Sequence, residues 1–389
     1  MNNAHRIGLA PIATPDRLLL GPGPSNAHPL VLEALARTPI GHLDPLYIEL
    51  MGEVQELLRY VWQTDNRLTI PMSGTGSAAM EATLANTVEP GDKVLVAVMG
   101  YFGLRLVDMA GRYRAEVVTI ERPWGEAFSL AEIEAALAEH RPTILAMVHA
   151  ETSTGVCQPM DGIGEACRRH GTLLLLDTVT SLGGVPLHLD DWQVDLAYSC
   201  SQKGLSCPPG LGPFTMGPRA EAKLLARQGK VPNWYLDVSL LNQYWGSDRV
   251  YHHTAPVNMN FGIREALRLL AEEGIEHAWA RHRRNAERLW SGLESLGLEL
   301  HVPEALRLPT LTTVRIPEGV DGKAFSRHLL DQHGIEVGGG LGVLAGKVWR
   351  IGLMGFNSTP ENVDRLLNLL ESELPAFTPG RSPLAAAVA

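Results

Sequence analysis

Between residues 94 and 198, short apolar runs alternate with amphipathic stretches. The runs fall at 94–98, 117–120, 144–148, 173–176 and 196–198, and each is continuous rather than alternating. A strand covered on one face is apolar at every second position, so unbroken runs predict strands covered on both faces. The amphipathic segments between them, such as 130–139 and 161–170, predict helices. This βαβ rhythm gives an α/β fold with a mostly parallel sheet, whose ligands sit beyond the carboxyl ends of its strands. Functional residues are therefore sought just after the apolar runs.

On either side the pattern changes. Leu18-Leu19-Leu20 leads into Gly21-Pro22-Gly23-Pro24-Ser25-Asn26, a stack of turn formers that predicts a loop. From 45 to 63, Leu46, Leu50, Met51, Val54, Leu57, Leu58 and Val61 recur at three- and four-residue steps, as one buried helical face does. A long helical tract is predicted over 263–296, then short strands at 312–316 and 348–351. A closing helix carries Thr359 as N-cap, Pro360 at its first position and a stripe of Val363, Leu366, Leu367 and Leu370. The chain thus divides into an arm (1–17), a large domain (18–270) and a smaller C-terminal α+β domain (271–389).

Length and composition agree with two or three globular domains, the chain having 389 residues, 45% hydrophobic and 20% charged. A formal charge of −10 has the wrong sign for a protein that neutralises phosphate backbones, so no nucleic-acid partner is expected. Cys157, Cys167, Cys200 and Cys207 form no CxxC pair, which argues against a structural zinc or a disulfide framework, and no metal is expected. Residues 1–17 contain no apolar core of signal-peptide length, and no run approaches a membrane span. The ending at 383–389 is not an SKL-type peroxisomal address. A cytoplasmic protein without membrane contact is the expectation.

Three features stand at strand ends. Lys203 lies in Ser201-Gln202-Lys203-Gly204, past the run at 196–198; it is either a solvated loop charge or an imine-forming nucleophile. Asp177 follows four leucines, where a carboxylate needs a cationic partner or serves as a helix N-cap. Ser73-Gly74-Thr75-Gly76-Ser77 opens a helix and forms either a phosphate cradle or a dinucleotide fingerprint. The fingerprint needs an acid after the next strand, but Asp92 precedes that strand and Met99-Gly100-Tyr101-Phe102-Gly103 follows it. No Gly-Lys-Ser/Thr nucleotide loop is present either. Cradle, aromatic, polar turn (Glu151-Thr152-Ser153-Thr154-Gly155), aspartate and lysine occur in this order. Pyridoxal phosphate needs that set: a lysine to hold it, an acid for its ring nitrogen, a stacking aromatic, and helix-terminal amides for its phosphate.

The sequence resembles a class V aminotransferase of the alanine–glyoxylate type. The resemblance is carried by Leu-Leu-Leu-Gly-Pro-Gly-Pro-Ser-Asn (18–26), Glu-Pro-Gly-Asp (89–92), Ser-Thr-Gly-Val (153–156), Ser-Leu-Gly-Gly (181–184), Ser-Gln-Lys (201–203), Tyr-His-His-Thr (251–254) and Arg-Ile-Gly-Leu (350–353). It implies a type I pyridoxal-phosphate transferase fold, with a mostly parallel seven-stranded sheet in the large domain. It implies that Lys203 holds the cofactor, Asp177 pairs with the ring nitrogen, Thr152 bonds the ring hydroxyl, and Phe102 and Val179 face the ring. Thr75, Gly76, Ser77 and Gln202 meet the phosphate on this reading. Tyr251 and Thr254 reach the site of a second subunit, making a homodimer with shared active sites. Arg350 clamps the substrate carboxylate, with Gly23 and the Gly41-His42 region closing the pocket. The implied reaction is ping-pong transfer of an amino group from a small amino acid, alanine first and serine second, to glyoxylate.

Two departures stand out: Phe102 occupies a position where some members carry Trp, and His42 stands where others have Asn or Arg-flanked polar residues. Rival readings fare worse. His149-Ala150-Glu151 lacks the Pro-Cys-x-x-Cys of a zinc deaminase. His252-His253 is either a metal pair or interface packing. A cysteine desulfurase needs a mobile-loop thiol, and no cysteine follows Cys207. A NAD-dependent dehydrogenase lacks its ribose acid, and a non-catalytic effector-binding domain is expected to lose Lys203, Asp177 or Arg350.

Overall fold

A computed structural model describes residues 9–377; the terminal address considered at 383–389, and part of the arm, lie outside the described residues. The chain opens with β1 (Leu18–Leu19), α1 (Pro29–Leu35) and α2 (Pro45–Trp62). Alternating elements follow: β2 (Leu68–Ser73), α3 (Gly76–Thr87), β3 (Lys93–Val98), α4 (Tyr101–Arg112), β4 (Glu116–Glu121), α5 (Leu130–His140) and β5 (Ile144–Val148). The short pair β6 (Ala150–Glu151) and β7 (Val156–Cys157) precedes α6 (Ile163–Arg169), β8 (Leu173–Asp177), β9 (Leu196–Tyr198) and β10 (Leu211–Met216). Helices α7 (Pro218–Leu225), α8 (Val238–Trp245), α9 (Val257–Glu273) and α10 (Ile275–Ser295) come next. The chain then runs through β11 (Leu311–Arg315), α11 (Gly322–His333), β12 (Ile335–Glu336), β13 (Gly338–Gly339), β14 (Val348–Gly352) and α12 (Pro360–Glu373).

The central sheet has seven strands in the order β2-β10-β9-β8-β5-β3-β4. Only β10 runs against its neighbours. Local chemistry sets the helix ends: Asp44 caps α2 by accepting from Leu46 N at 2.9 Å. Ser129 and Glu132 form a reciprocal capping box on α5. Thr359 caps α12 ahead of Pro360, as the sequence predicts.

Burial falls into two main clusters. The larger encloses the central sheet, with Val94 to Val98, Ile144 to Val148 and Leu173 to Leu176 almost fully buried. The smaller joins Leu20 with Leu289, Leu293, Phe325, Trp349, Ile351, Val363, Leu366 and Leu370. Helix α10 belongs to both, since Ile275, Ala278 and Trp279 pack in the first and Leu289 and Leu293 in the second. The three-stranded sheet β11-β14-β13 carries Arg350 in the smaller part.

Four sequence expectations need correction. The run at 117–120 lies in β4, an edge strand whose Glu116, Thr119 and Glu121 are exposed, so it is not covered on both faces. The tract 263–296 is two helices, broken at Gly274, whose φ of +86° no helix admits. Strands β2 and β10, where no strand was expected, carry Pro71 and Pro213, which pair with each other in register. Leu46 is 63% exposed, although it matches the spacing of the inward face of α2.

Candidate active site

The carboxyl ends of the parallel strands converge with the loop between β9 and β10. Ser73 ends β2, and Gly74, at φ +141°, turns the chain into α3. Thr75 is the N-cap of α3 but makes no side-chain cap bond, which leaves its hydroxyl and the first-turn amides available to an anion. A Cβ on Gly76 would sit 2.7 Å from Cys200 Cβ. Only glycine therefore lets this helix end approach the β9–β10 loop.

That loop carries the lysine. The Nζ of Lys203 donates to the carbonyl of Pro22. Ser25 ties the loop down from the other side, its amide donating to Gln202 O at 2.9 Å and its hydroxyl to Lys203 O at 2.9 Å. Burial pushes the Lys203 ammonium below its ordinary pKa, favouring the free amine that a nucleophile or base requires. Buried Gln202 Oε1 has no hydrogen-bond partner among the described residues. A Cβ added to Gly23, at φ +113°, would lie 2.5 Å from Lys203 Nζ. Gly23→Ala is therefore expected to displace the lysine, cutting turnover at least about tenfold and destabilising the chain by about 1–3 kcal/mol. Steady-state rates and thermal melts check both.

Asp177, the last residue of β8, is 2% exposed. Its Oδ1 accepts from Val179 N at 2.8 Å and its Oδ2 from the Tyr198 hydroxyl at 2.5 Å. Both donors are neutral, so burial dominates and pushes the carboxyl up to about 6. Thr152 is buried as well, its hydroxyl pairing with that of Thr180. Arg350 reaches the same place from β14, with Nη1 on Thr152 O at 3.2 Å and Nε on Gly339 O at 2.7 Å, leaving Nη2 free for a carboxylate.

Phe102 lies in the first turn of α4, whose amides are held by residues that sequence reasoning assigned no such role. Glu151 Oε2 accepts from Phe102 N at 3.2 Å, and Ser153 Oγ accepts from Tyr101 N at 2.9 Å. Glu151 is wholly buried, and desolvation pushes its carboxyl up to about 7. A raised carboxyl makes the native state bind the proton that the unfolded chain has released. The stability contributed by Glu151 therefore falls as pH rises from about 4.5 to about 7 and is flat above. Glu151→Gln is expected to melt progressively higher relative to the parent from pH 5 to pH 8, by about 2–4 kcal/mol in total. A difference independent of pH would refute that assignment. Arg105, also overlooked, lies 4.8 Å over the Phe102 ring and donates to Ser77 Oγ at 3.4 Å, bringing positive charge to the cradle.

Tyr251 and Thr254 are exposed, and His42 packs against the Tyr251 ring at 5.2 Å. Neighbouring His253 bonds Ser73 Oγ at 2.7 Å through Nε2 and His252 through Nδ1 at 2.8 Å. That packing, with Trp234 stacked on His252 at 4.4 Å, occupies the pair otherwise read as metal ligands.

The class V aminotransferase model matches residues 32–366. The chain belongs to this family. Alanine–glyoxylate aminotransferase of Callithrix jacchus is 45% identical over 370 residues, covering 94% of this chain and 89% of the relative. The (S)-ureidoglycine–glyoxylate transaminase of Bacillus subtilis is 38% identical, with 94% and 92% covered. The crystal structure of an alanine–glyoxylate aminotransferase from Nostoc sp. superposes with a TM-score of 0.94 at 66% identity, covering 95% of this chain and 98% of that one. As a class V aminotransferase the chain is a transaminase with the pyridoxal-phosphate fold, and its donors fit that cofactor: an uncapped helix end, an orphaned Gln202 oxygen, and a buried acid bonded only by neutral donors.

Proposed function

We propose that this transaminase moves the amino group of alanine to glyoxylate in a ping-pong cycle. The observation that carries the reading is the convergence of a buried lysine amine, a buried aspartate bonded only by neutral donors and a half-free arginine beyond the carboxyl end of the central sheet. Lys203 would hold the cofactor, Asp177 its ring nitrogen, and Thr152 its ring hydroxyl. Thr75, Gly76, Ser77 and Gln202 would take the phosphate, with Phe102 and Val179 on the ring faces. Pyridoxal phosphate, when bound, supplies a protonated ring that accepts the electron pair left at the substrate Cα.

The protein's own work is positioning and proton movement. Arg350 fixes the substrate carboxylate through its free Nη2, so that Cα lies within reach of Lys203. Lys203 Nζ, whose burial lowers its pKa and favours the free amine, takes the Cα proton and returns it on the far side of the transfer. Asp177 keeps its charge opposite the ring nitrogen, and Tyr198 and Val179 hold that carboxylate in place. Gly23 and His42 limit the donor side chain, and the reading for alanine rests on the named relatives together with this glycine-lined approach.

The decisive test is the absorbance of protein incubated with pyridoxal phosphate. A visible band that bleaches with alanine and returns with glyoxylate supports the reading. Bleaching by serine or ureidoglycine alone replaces the donor, and a protein that never acquires the band overturns the lysine assignment.

The same reading includes a homodimer in which Tyr251 and Thr254 reach the phosphate of the partner subunit. Their exposure supports it, as do exposed Trp234 and Leu46, the latter lining a groove of about 410 Å³ with Leu50 and Phe261. Mixed dimers of Lys203→Ala and Tyr251→Ala chains are expected to exceed the mean activity of the two parents; activity at or below that mean counts against shared sites. We assign an arm at 1–17, a large domain at 18–270 and a small domain at 271–389, with α10 common to both cores. A reducing, cytoplasmic location is supported by four free cysteines. Among the described residues no helix is long and apolar enough to cross a membrane.

A further inference from the structure

At the far end of the small domain, two helices bring three ligand-type side chains together. His328 and His333 lie on α11, and Glu373 is the last residue of α12. His333 Nε2 is 2.8 Å from one Glu373 carboxylate oxygen and 3.0 Å from the other, and His328 Nε2 contacts the second oxygen as well. One donor atom from each residue lies within 4.8 Å of the other two. The imidazoles meet edge to face at 5.6 Å, and His328 is backed by Phe377 at 5.1 Å. Neither Nδ1 has a hydrogen-bond partner among the described residues, so both rings are free to carry their proton there and turn Nε2 toward a ligand.

Positions five apart do not ordinarily share a helix face. Here the two imidazoles meet at the C-terminal end of α11, which closes at His333 with Gly334 in the left-handed region at φ +68°. Arg365 also fixes the last turn, donating to His333 O at 2.7 Å. Glu373 is drawn from another helix forty residues on in the chain. Spacing and cysteine content therefore could not reveal the group, and the expectation that the chain has no metal site was built on those two signals.

We propose that His328, His333 and Glu373 bind one zinc-class divalent cation per chain, tying the end of α11 to the end of α12, with solvent as the fourth ligand. Two imidazole nitrogens and a carboxylate suit Zn²⁺ and its neighbours, which take such ligands at about 2.0–2.2 Å. Calcium and magnesium, which require oxygen, are excluded by the same donors. In the metal-free arrangement a single carboxylate serves two rings; a dication at their meeting point replaces those hydrogen bonds with three ligand bonds. All three side chains are partly exposed, so the ion has an open path.

The test uses the cofactor-loaded full chain without a polyhistidine tag, stripped with chelator and titrated calorimetrically with Zn²⁺, with Co²⁺ as a visible-band probe. One equivalent per chain is expected, with a melting-temperature rise of roughly 3 °C at a hundredfold excess over Kd. The H328Q/H333Q double variant should lose both signals, Glu373→Gln should weaken binding at least about tenfold, and Mg²⁺ should do nothing. Should the double variant fail to fold, His333→Gln and Glu373→Gln separately decide the matter. Absence of a stoichiometric Zn²⁺ site, or its persistence in these variants, overturns the proposal.

Discussion

Lys203→Ala is expected to lower turnover by at least about 10²- to 10⁴-fold, the usual contribution of a positioned proton-transfer group. The loss should fall on kcat rather than on KM, because the lysine acts on the reacting Cα and not on the carboxylate anchor. Lys203→Arg should be as inactive, since a guanidinium stays protonated and cannot take a proton. The one hydrogen bond its amine makes among the described residues is to Pro22 O, so folding should survive its removal. Added small primary amines should restore part of the rate to Lys203→Ala by supplying the missing base. Near-normal turnover by either variant would rule out the proposed role.

For Arg350→Ala the expected loss lies in kcat/KM for carboxylate substrates. Removing one partner of a buried charge pair costs about 2–5 kcal/mol, or roughly 30- to 5,000-fold. Arg350 is 6% exposed and already spends Nε and Nη1 on Gly339 O and Thr152 O, so only Nη2 is uncommitted. Truncation also leaves those two carbonyls unpaired and should lower stability by about 1–3 kcal/mol for each that water cannot reach. Arg350→Lys keeps the charge but loses the fork, and should fall between the two. Amines without a carboxylate should react at an unchanged rate with all three proteins. An unaltered kcat/KM for alanine would place the clamp elsewhere.

What the sequence disclosed follows from where the physics is local. Asp177 was legible because it ends an apolar strand, Lys203 because it lies in a small-residue loop just past one, and the cradle at 73–77 because small residues before a helix are a local signal. Five parallel strands, β3, β4, β5, β8 and β9, were legible from their unbroken runs, although β4 lies at an edge and is not covered on both faces, and β2 was missed. Tyr198 was hidden, since as the last residue of an apolar strand it counts only as hydrophobic. Its hydroxyl gains a role when β8 and β9 bring it to Asp177 in register. Glu151 was seen only as the first residue of a polar turn and as part of a failed zinc motif. A charged residue between two apolar segments could have marked it as buried, but nothing local says that it caps a helix fifty residues earlier. Gly274 was overlooked because apolar spacing continues across it, although a positive φ ends the helix there.

The first strand has a consequence for how the chain reaches this state. β1 pairs in parallel with β12, and Leu19 O accepts from Asn357 across 338 residues of sequence. Contacts of such separation form late, because the entropy of closing the intervening chain must be met first. During synthesis β1 therefore waits for β12 and Asn357, while the central sheet between them can already assemble. The loop that presses on Lys203 follows directly from that strand. Docking of the 335–357 segment on β1 and completion of the catalytic pocket are thus one event, and a nascent chain whose sheet has already formed still lacks a finished site.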